Sequence, residues 1–349
     1  MNPAAINKLR QELLRRKIDA FLITKGVNVA YLSGFKGEGE LLITPTRQIL
    51  LVDFRFNEQA AKVAGSFQIR QRQSFRPLEE SILRLVKRLK LKRLGFEASS
   101  LAYGFHHKLK STLKSVKLIP STDIVERLRA IKSGQEIRLL KKAAALSVKS
   151  FGFARKIIKA GRKEVEIARE LQYFMRKLGA EDCAFDIIVA SGKRSSLPHA
   201  PACARTIKNN EAVLVDLGCR ISCYNSDLTR MVFLGRISGK LKRTYEIVRQ
   251  AQQLAIKAVR AGVKIRQIDK IARQYIAKAG LGAFFGHALG HGIGREVHEY
   301  PSISPKNQGI LKKGMVFTIE PGVYIPGWGG IRVEDMVLVT RTGHEVLTR

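Results

Sequence analysis

Two aspartates, a histidine and two glutamates each stand where an apolar run is broken or ended. Asp216 closes Ala212-Val213-Leu214-Val215, and Asp227 opens a second run from Leu228 to Leu234. His291 lies in the glycine-rich stretch 286–294, Glu320 ends Val316-Phe317-Thr318-Ile319, and Glu334 follows Ile331-Arg332-Val333. A carboxylate set into an apolar strand is costly unless a cation, a proton or a donor cluster meets it. Two strands joined through the turn-rich segment 217–226 can be neighbours, which brings Asp216 and Asp227 together. The five residues are therefore read as ligands of two metal ions. Four carboxylates and one imidazole suit Mn²⁺ first, with Co²⁺, Zn²⁺ or Fe²⁺ as alternatives, rather than a thiolate-selective ion.

Other chemistries at these positions are weaker. Cys219 and Cys223 bracket a turn at zinc-like spacing, but no second cysteine pair accompanies them, so they read as small buried side chains. His287 and His291 are four apart, which on a helix would put both on one ion. Four glycines in nine residues argue against a helix there, leaving one ligand and one neighbour that touches substrate. A dinucleotide-type glycine loop fails because Arg295 stands where the third glycine is needed. A single glutamate at a strand end is ordinarily a solvated residue; the five together are what make the case.

The elements that must position these residues fall into two textures. From Asn2 to Ile119, short apolar runs alternate with helical periodicity. Helices are expected over 2–17, 55–64, 78–89 and 103–113. Strands are expected over 20–24, 40–44, 48–53, 94–97 and near 116–119, with 31–35 as a turn-rich connection. This is an α/β domain, set at 1–123. From 124 onward come long helices, 135–160, 164–178, 240–261 and 265–279, a strand at 185–190, the aspartate hairpin, and a glycine-rich antiparallel sheet over 284–339. This second domain, 124–349, is α+β and holds all five candidate ligands. His106 and His107 in the first domain read as polar residues of a helix.

The 349 residues are 45% hydrophobic, with no apolar run approaching the ~18 residues of a membrane span. The first twenty residues mix charge with leucine at helical spacing, so no signal peptide is expected, and the four cysteines make no disulfide framework. The expected compartment is the cytoplasm. The formal net charge of +34 invites a nucleic-acid reading. It is spread evenly, however: residues 1–123 carry 23 basic against 10 acidic side chains, the rest 40 against 19. No basic module stands out, and no specific nucleic-acid partner is expected.

The segments Leu197-Pro198-His199-Ala200, Asp216 to Arg230, His287 to Gly294, Val297 to Pro301, Thr318 to Gly322 and Arg332 to Asp335 resemble, in order and spacing, the pita-bread metallopeptidases. That family includes methionine aminopeptidase, aminopeptidase P and prolidase. The first domain resembles the N-terminal domain of the proline-directed members. The resemblance implies that Asp216 binds one metal, that His291 and Glu320 bind the other, and that Asp227 and Glu334 bridge both. It also implies that Glu320 carries the proton to the leaving amine and that His199, His287 and His298 hold the substrate carbonyl and the tetrahedral intermediate. Tyr224 and Arg332 would support ligands by hydrogen bonds. A homodimer is implied as well.

Two departures bear on substrate. Cys223 replaces a glycine of many relatives, which changes packing more than chemistry. Ser302 replaces an arginine with which some prolidases grip a dipeptide carboxylate, a role suited to a bidentate cation. The expectation is therefore an Xaa-Pro aminopeptidase acting on peptides with proline second, with an Xaa-Pro dipeptidase as the alternative. A binding protein on the same fold, possibly nucleic-acid associated, is the remote rival. The chain also ends at Arg349, soon after its last expected strand, so a short C-terminal piece of some relatives is expected to be missing.

Overall fold

The computed structural model describes residues 2–73 and 75–349. By internal packing the chain divides into two units, Met1–Arg129 and Ala130–Arg349.

In the first unit the order is α1 (Pro3–Arg15), β1 (Ala20–Ile23), α2 (Gly26–Ser33), β2 (Glu40–Ile43), β3 (Gln48–Val52), α3 (Asn57–Val63), β4 (Gln68–Gln71), α4 (Leu78–Arg88), β5 (Arg93–Glu97), α5 (Tyr103–Thr112), β6 (Lys117–Ser121) and α6 (Ile124–Ala130). The strands form one mixed sheet ordered β4-β3-β2-β1-β5-β6. Period-two alternation explains the layering: Phe21 and Ile23 of β1 pack with Leu9 and Leu13 of α1, while Ala20 and Leu22 pack with Ile82 and Leu85 of α4.

The segment expected as a connection at 31–35 is instead the end of α2. Val29 and Leu32 are buried, and the Asn28 side chain is fixed between Glu97 and Glu126 at 2.7 Å each. Tertiary burial supplies the helix that local propensity did not announce. Gly34, at φ 82°, ends it in the left-handed region. The edge strand β4 was also not expected, because only Ile69 of Gln68–Gln71 turns inward.

The second unit opens with α7 (Gly134–Ile157) and α8 (Glu164–Lys177). A reciprocal capping box of Ser133 and Glu136 starts α7. There follow β7 (Asp182–Cys183), β8 (Ile188–Ser191), β9 (Ala212–Leu217), β10 (Cys219–Ile221), β11 (Tyr224–Asn225) and β12 (Leu228–Phe233). Then come α9 (Gly239–Lys257), α10 (Ile265–Lys278), β13 (Gly290–Gly292), β14 (Glu299–Ile303), β15 (Val316–Ile319), β16 (Gly322–Ile325), β17 (Gly329–Arg332), β18 (Asp335–Val339) and β19 (His344–Val346). The expected glycine-rich sheet is realised as a five-stranded sheet, β14-β13-β15-β18-β19, and a two-stranded ribbon, β16-β17. β9 runs between β8 and β12, and all six of its residues are buried. No helix among the described residues is long and apolar enough to cross a membrane.

Candidate metal centre and active site

Asp216 and Asp227 are presented by one hairpin. β9 and β12 are antiparallel, with Leu217 opposite Leu228 and Asp216 opposite Thr229. Asp227 therefore lies one step beyond the last pair, and its side chain shares a face with Asp216 as a diagonal neighbour. The other three residues come from the five-stranded sheet. His291 is central in β13; Glu320 follows β15, and Glu334 precedes β18. Ile319 pairs with Asp335, so one further step sets Glu320 opposite Glu334. The glycines beside His291 have a steric reason. A Cβ on Gly290 would fall 1.9 Å from the Thr318 carbonyl oxygen, and one on Gly292 would fall 2.3 Å from that of Tyr300. Only glycine lets β13 lie this close to both neighbours.

All five residues line one cavity of about 760 Å³, together with His199, His287, His298, Ser302, Tyr324 and Arg332. Within it, Asp227, His291 and Glu334 each offer a ligand atom within 4.8 Å of the others. His291 Nε2 is 3.2 Å from Glu320 Oε1 and 3.6 Å from Asp227 Oδ2. Asp216 Oδ2 accepts from Arg332 Nη2 at 2.5 Å. Arg332 is itself aimed by the Tyr324 hydroxyl, the Pro198 carbonyl and the Thr229 hydroxyl.

Thr229, which sequence reasoning missed, donates to Glu334 Oε2 at 2.7 Å while accepting from Arg332 Nε. Thr318 plays a parallel part: its hydroxyl donates to Glu320 Oε1 at 3.1 Å and accepts the His291 backbone N–H at 3.1 Å. The signal available for both was a threonine two residues from a candidate carboxylate, Asp227 for Thr229 and Glu320 for Thr318. Tyr224 does not line the cavity; its hydroxyl meets Glu136 at 2.9 Å and accepts from Arg295 at 3.3 Å.

Burial pushes the Asp227 carboxyl well up, and the charges of Glu334, Asp216 and Glu320 add to it. Glu334 is pushed to about 8 by burial and by Glu320 and Asp216. Burial works against a charged His291, yet the hydrogen bond and charge of Glu320 outweigh it and raise the imidazole to about 9. Burial would raise Glu320, but the His291 hydrogen bond and charge hold it below the usual carboxylate range. Asp216 Oδ1, Asp227 Oδ1 and Glu334 Oε1 are buried without a hydrogen-bond partner. Carboxylates brought together out of water, each with an unused oxygen, need positive charge between them. The donor set fits divalent cations.

His287 sits between Phe285 and Tyr324, its ring centroid 5.1 and 5.6 Å from theirs. Its Nδ1 donates to the Ala288 carbonyl at 2.7 Å, and its buried Nε2 has no partner. The His298 ring centroid is 4.0 Å from that of His291, and His199 is exposed on the cavity wall. Cys223 has φ 65°, the left-handed region that glycine enters freely. All four cysteines are free.

The comparisons with known proteins agree with this geometry. Residues 6–131 match the creatinase/prolidase N-terminal domain, and residues 138–341 match metallopeptidase family M24. The chain is 39% identical to an Xaa-Pro dipeptidase of Pyrococcus horikoshii, over 99% of this chain and 96% of that one. Among solved structures, an Xaa-Pro dipeptidase from Bacillus anthracis superposes with a TM-score of 0.95 at 39% identity, covering 99% of this chain and 97% of the other. An X-Pro aminopeptidase from Thermotoga maritima superposes with a TM-score of 0.86 at 38% identity, covering 96% and 97%. With both of its units matched and every expected ligand lining one cavity, the chain belongs to metallopeptidase family M24.

Proposed function

We propose that the protein is an Xaa-Pro dipeptidase that works with two divalent metal ions. The observation that carries the metal part is the cluster of buried Asp227 and Glu334 with half-buried His291, with unpartnered carboxylate oxygens on Asp216, Asp227 and Glu334. The dipeptide part is supported by full-length relatives named Xaa-Pro dipeptidase at 38–39% identity. These favour the alternative over the aminopeptidase reading drawn from Ser302.

In this proposal Asp216, Asp227, His291, Glu320 and Glu334 would hold the ions, with the division among them that the resemblance implies. When bound, such a pair supplies positive charge and a water activated at neutral pH. His291 must shed its proton to act as a ligand, so metal binding releases protons. Glu320 is the group that takes a proton and returns it to the leaving proline nitrogen. Its carboxyl is ionised, and Thr318 fixes its orientation. Arg332 holds Asp216 in place, and Tyr324 holds Arg332. His199, His287 and His298 line the cavity where the substrate carbonyl and the developing oxyanion would lie.

The proposal extends to Mn²⁺ as the preferred ion and to a homodimeric enzyme in the cytoplasm. The donor set supports the ion, and four free cysteines are compatible with the compartment. The homodimer rests on resemblance alone. A second reading, Xaa-Pro aminopeptidase, is favoured by one observation: Ser302 is exposed on the cavity wall and brings no cation.

Hydrolysis of Ala-Pro against Ala-Pro-Ala, in Mn²⁺ and with a chelated control, separates the two. The dipeptidase reading expects cleavage confined to Ala-Pro and lost on chelation. Preference for the tripeptide would establish the second reading, and inactivity on both with several metals would overturn both.

A further inference from the structure

Asp269 and Arg273 lie one turn apart on α10 and touch none of the five candidate ligands. Asp269 is fully buried, and Arg273 meets it with two parallel bonds, Nε to Oδ1 at 2.7 Å and Nη2 to Oδ2 at 2.8 Å. A bidentate pair of this kind is geometrically rigid.

What the pair does beyond itself is hold the backbone that leads into β13. Arg273 Nη1 donates to the Phe285 carbonyl at 2.9 Å, and Nη2 donates to the His287 carbonyl at 2.8 Å. Asp269 Oδ2 accepts the Leu289 N–H at 3.1 Å. The guanidinium also lies 4.3 Å from the centre of the Phe285 ring, the ring against which His287 packs edge-on. Leu289 passes the constraint on, since its carbonyl accepts the Glu320 N–H at 2.8 Å. Alternate backbone groups at 285, 287 and 289 are thus held by one charged pair, and both His287 and Glu320 take their places from it.

We propose that Asp269 and Arg273 are positioning residues for this active site, setting His287 directly and Glu320 through Leu289. The kinetic side of this inference rests on the peptidase reading; the structural side does not. A guanidinium is required because its planar fork reaches two carbonyls and both carboxylate oxygens at once, which an ammonium cannot do. The side chain is also reachable from outside. Arg273 and Asp269 line a surface depression of about 560 Å³ with Lys264, Arg266 and Lys270.

The test uses Arg273→Lys, which keeps the cation beside buried Asp269, and Arg273→Ala. With Ala-Pro as substrate, Arg273→Lys is expected to lower kcat/KM by about 10–100-fold at unchanged metal content, the usual scale for groups that orient a centre. In a His287→Ala background the same change should cost less than in the unaltered protein, the remaining loss being the share carried through Glu320, because coupled residues are non-additive. Guanidinium ion at non-denaturing concentration should partly restore Arg273→Ala by entering the surface depression. In the metal-free protein, amide exchange over residues 285–291 and at Glu320 should accelerate in Arg273→Lys while β9 stays protected.

Equal kinetic cost in both backgrounds, or unchanged exchange at 285–291, overturns the proposal. If the unaltered protein cleaves no Xaa-Pro peptide, the peptidase reading fails, and the exchange measurement alone still decides whether the pair holds the loop.

Discussion

Lys132 Nζ lies 2.7 Å from Glu299 Oε1, and the two side chains are 1% and 2% exposed. Lys132 stands just before α7, its own N–H bonded to the Gly314 carbonyl, whereas Glu299 begins β14 directly after His298. One buried ion pair therefore ties the entry of the catalytic unit to the strand that follows a cavity histidine.

Lys132→Met should destabilise the catalytic unit by about 3–5 kcal/mol, since the change removes the cation and leaves the carboxylate buried. Urea unfolding followed by near-ultraviolet circular dichroism reads this directly. A midpoint equal to that of the unaltered protein would show that the pair contributes nothing to the fold.

A second prediction concerns pH and the first unit. Burial pushes Glu40 up to about 7; Arg72 opposes the shift, and Asp53 and Glu38 add to it. Its Oε2 has no hydrogen-bond partner. A carboxyl raised on folding costs nothing below the unfolded value of 4.5, where both states are neutral. The cost grows as pH rises from there and is complete above about 7. Glu40→Gln should therefore leave stability unchanged at pH 4 and raise it at pH 8, by up to about 3 kcal/mol. Equal effects at the two pH values would refute the assigned ionisation.

Much of this was legible in the residues, for identifiable reasons. Asp216 and Asp227 interrupt apolar runs, and a two-residue period fixes which face each takes, so their meeting could be read from the strands alone. His291 stood out through its glycines, which the structure explains by strand crowding at Gly290 and Gly292. The helix α2 was not legible, because its stability comes from burial of Val29 and Leu32 and from Glu97 binding Asn28, contacts made across about seventy residues of sequence. Thr229, Thr318 and the Asp269–Arg273 pair were missed for a similar reason. Thr229 meets Glu334, Thr318 meets the His291 N–H, and the charged pair meets the backbone of 285, 287 and 289, partners that only the folded chain brings near. Tyr224 shows the converse: it lies between the two hairpin aspartates in sequence, yet its hydroxyl turns to Glu136 rather than to a candidate ligand.

The expectation that glycine suits position 223 has a physical cause in the backbone of Cys223. At φ 65° a side chain costs ~1–2 kcal/mol that glycine avoids, offset in part by the greater freedom of an unfolded glycine. Cys223→Gly should raise the thermal midpoint slightly and leave kcat/KM unchanged, since Cys223 does not line the cavity. A lowered midpoint would mean that the thiol packs usefully, contrary to this account.

Metal dependence gives a sharper prediction. Asp227→Ala should reduce binding from two ions per chain, measured by calorimetric titration with Mn²⁺. It should also lower activity by more than the ~10–100-fold typical of groups that merely orient ligands. The reason is the shared position of Asp227, whose Oδ2 lies 3.6 Å from His291 and whose Oδ1 has no partner in the protein. Full activity in a metal-reconstituted Asp227→Ala protein would remove the two-ion assignment.

Ser302 lines the cavity opposite His291, which makes it the position at which to test how a substrate's far end is held. It pairs across the β13–β14 ladder with His291, so a side chain there projects beside the candidate centre, and it is exposed on the cavity wall. Arg332, the one arginine lining the cavity among the described residues, has its donors engaged by Asp216, Tyr324, Pro198 and Thr229. The cavity wall around Ser302 therefore offers no uncommitted guanidinium, among the described residues, to a dipeptide's carboxylate. Ser302→Arg should lower KM for Ala-Pro by about tenfold, the conservative end of what a charge-assisted hydrogen bond yields near solvent. It should also slow Ala-Pro-Ala, whose carboxylate lies one residue too far to reach the new cation. The gain should shrink as salt is added, because the contact is partly exposed. A salt-independent gain, or equal improvement for both peptides, would mean that the arginine acts on the cavity's shape and not on the carboxylate.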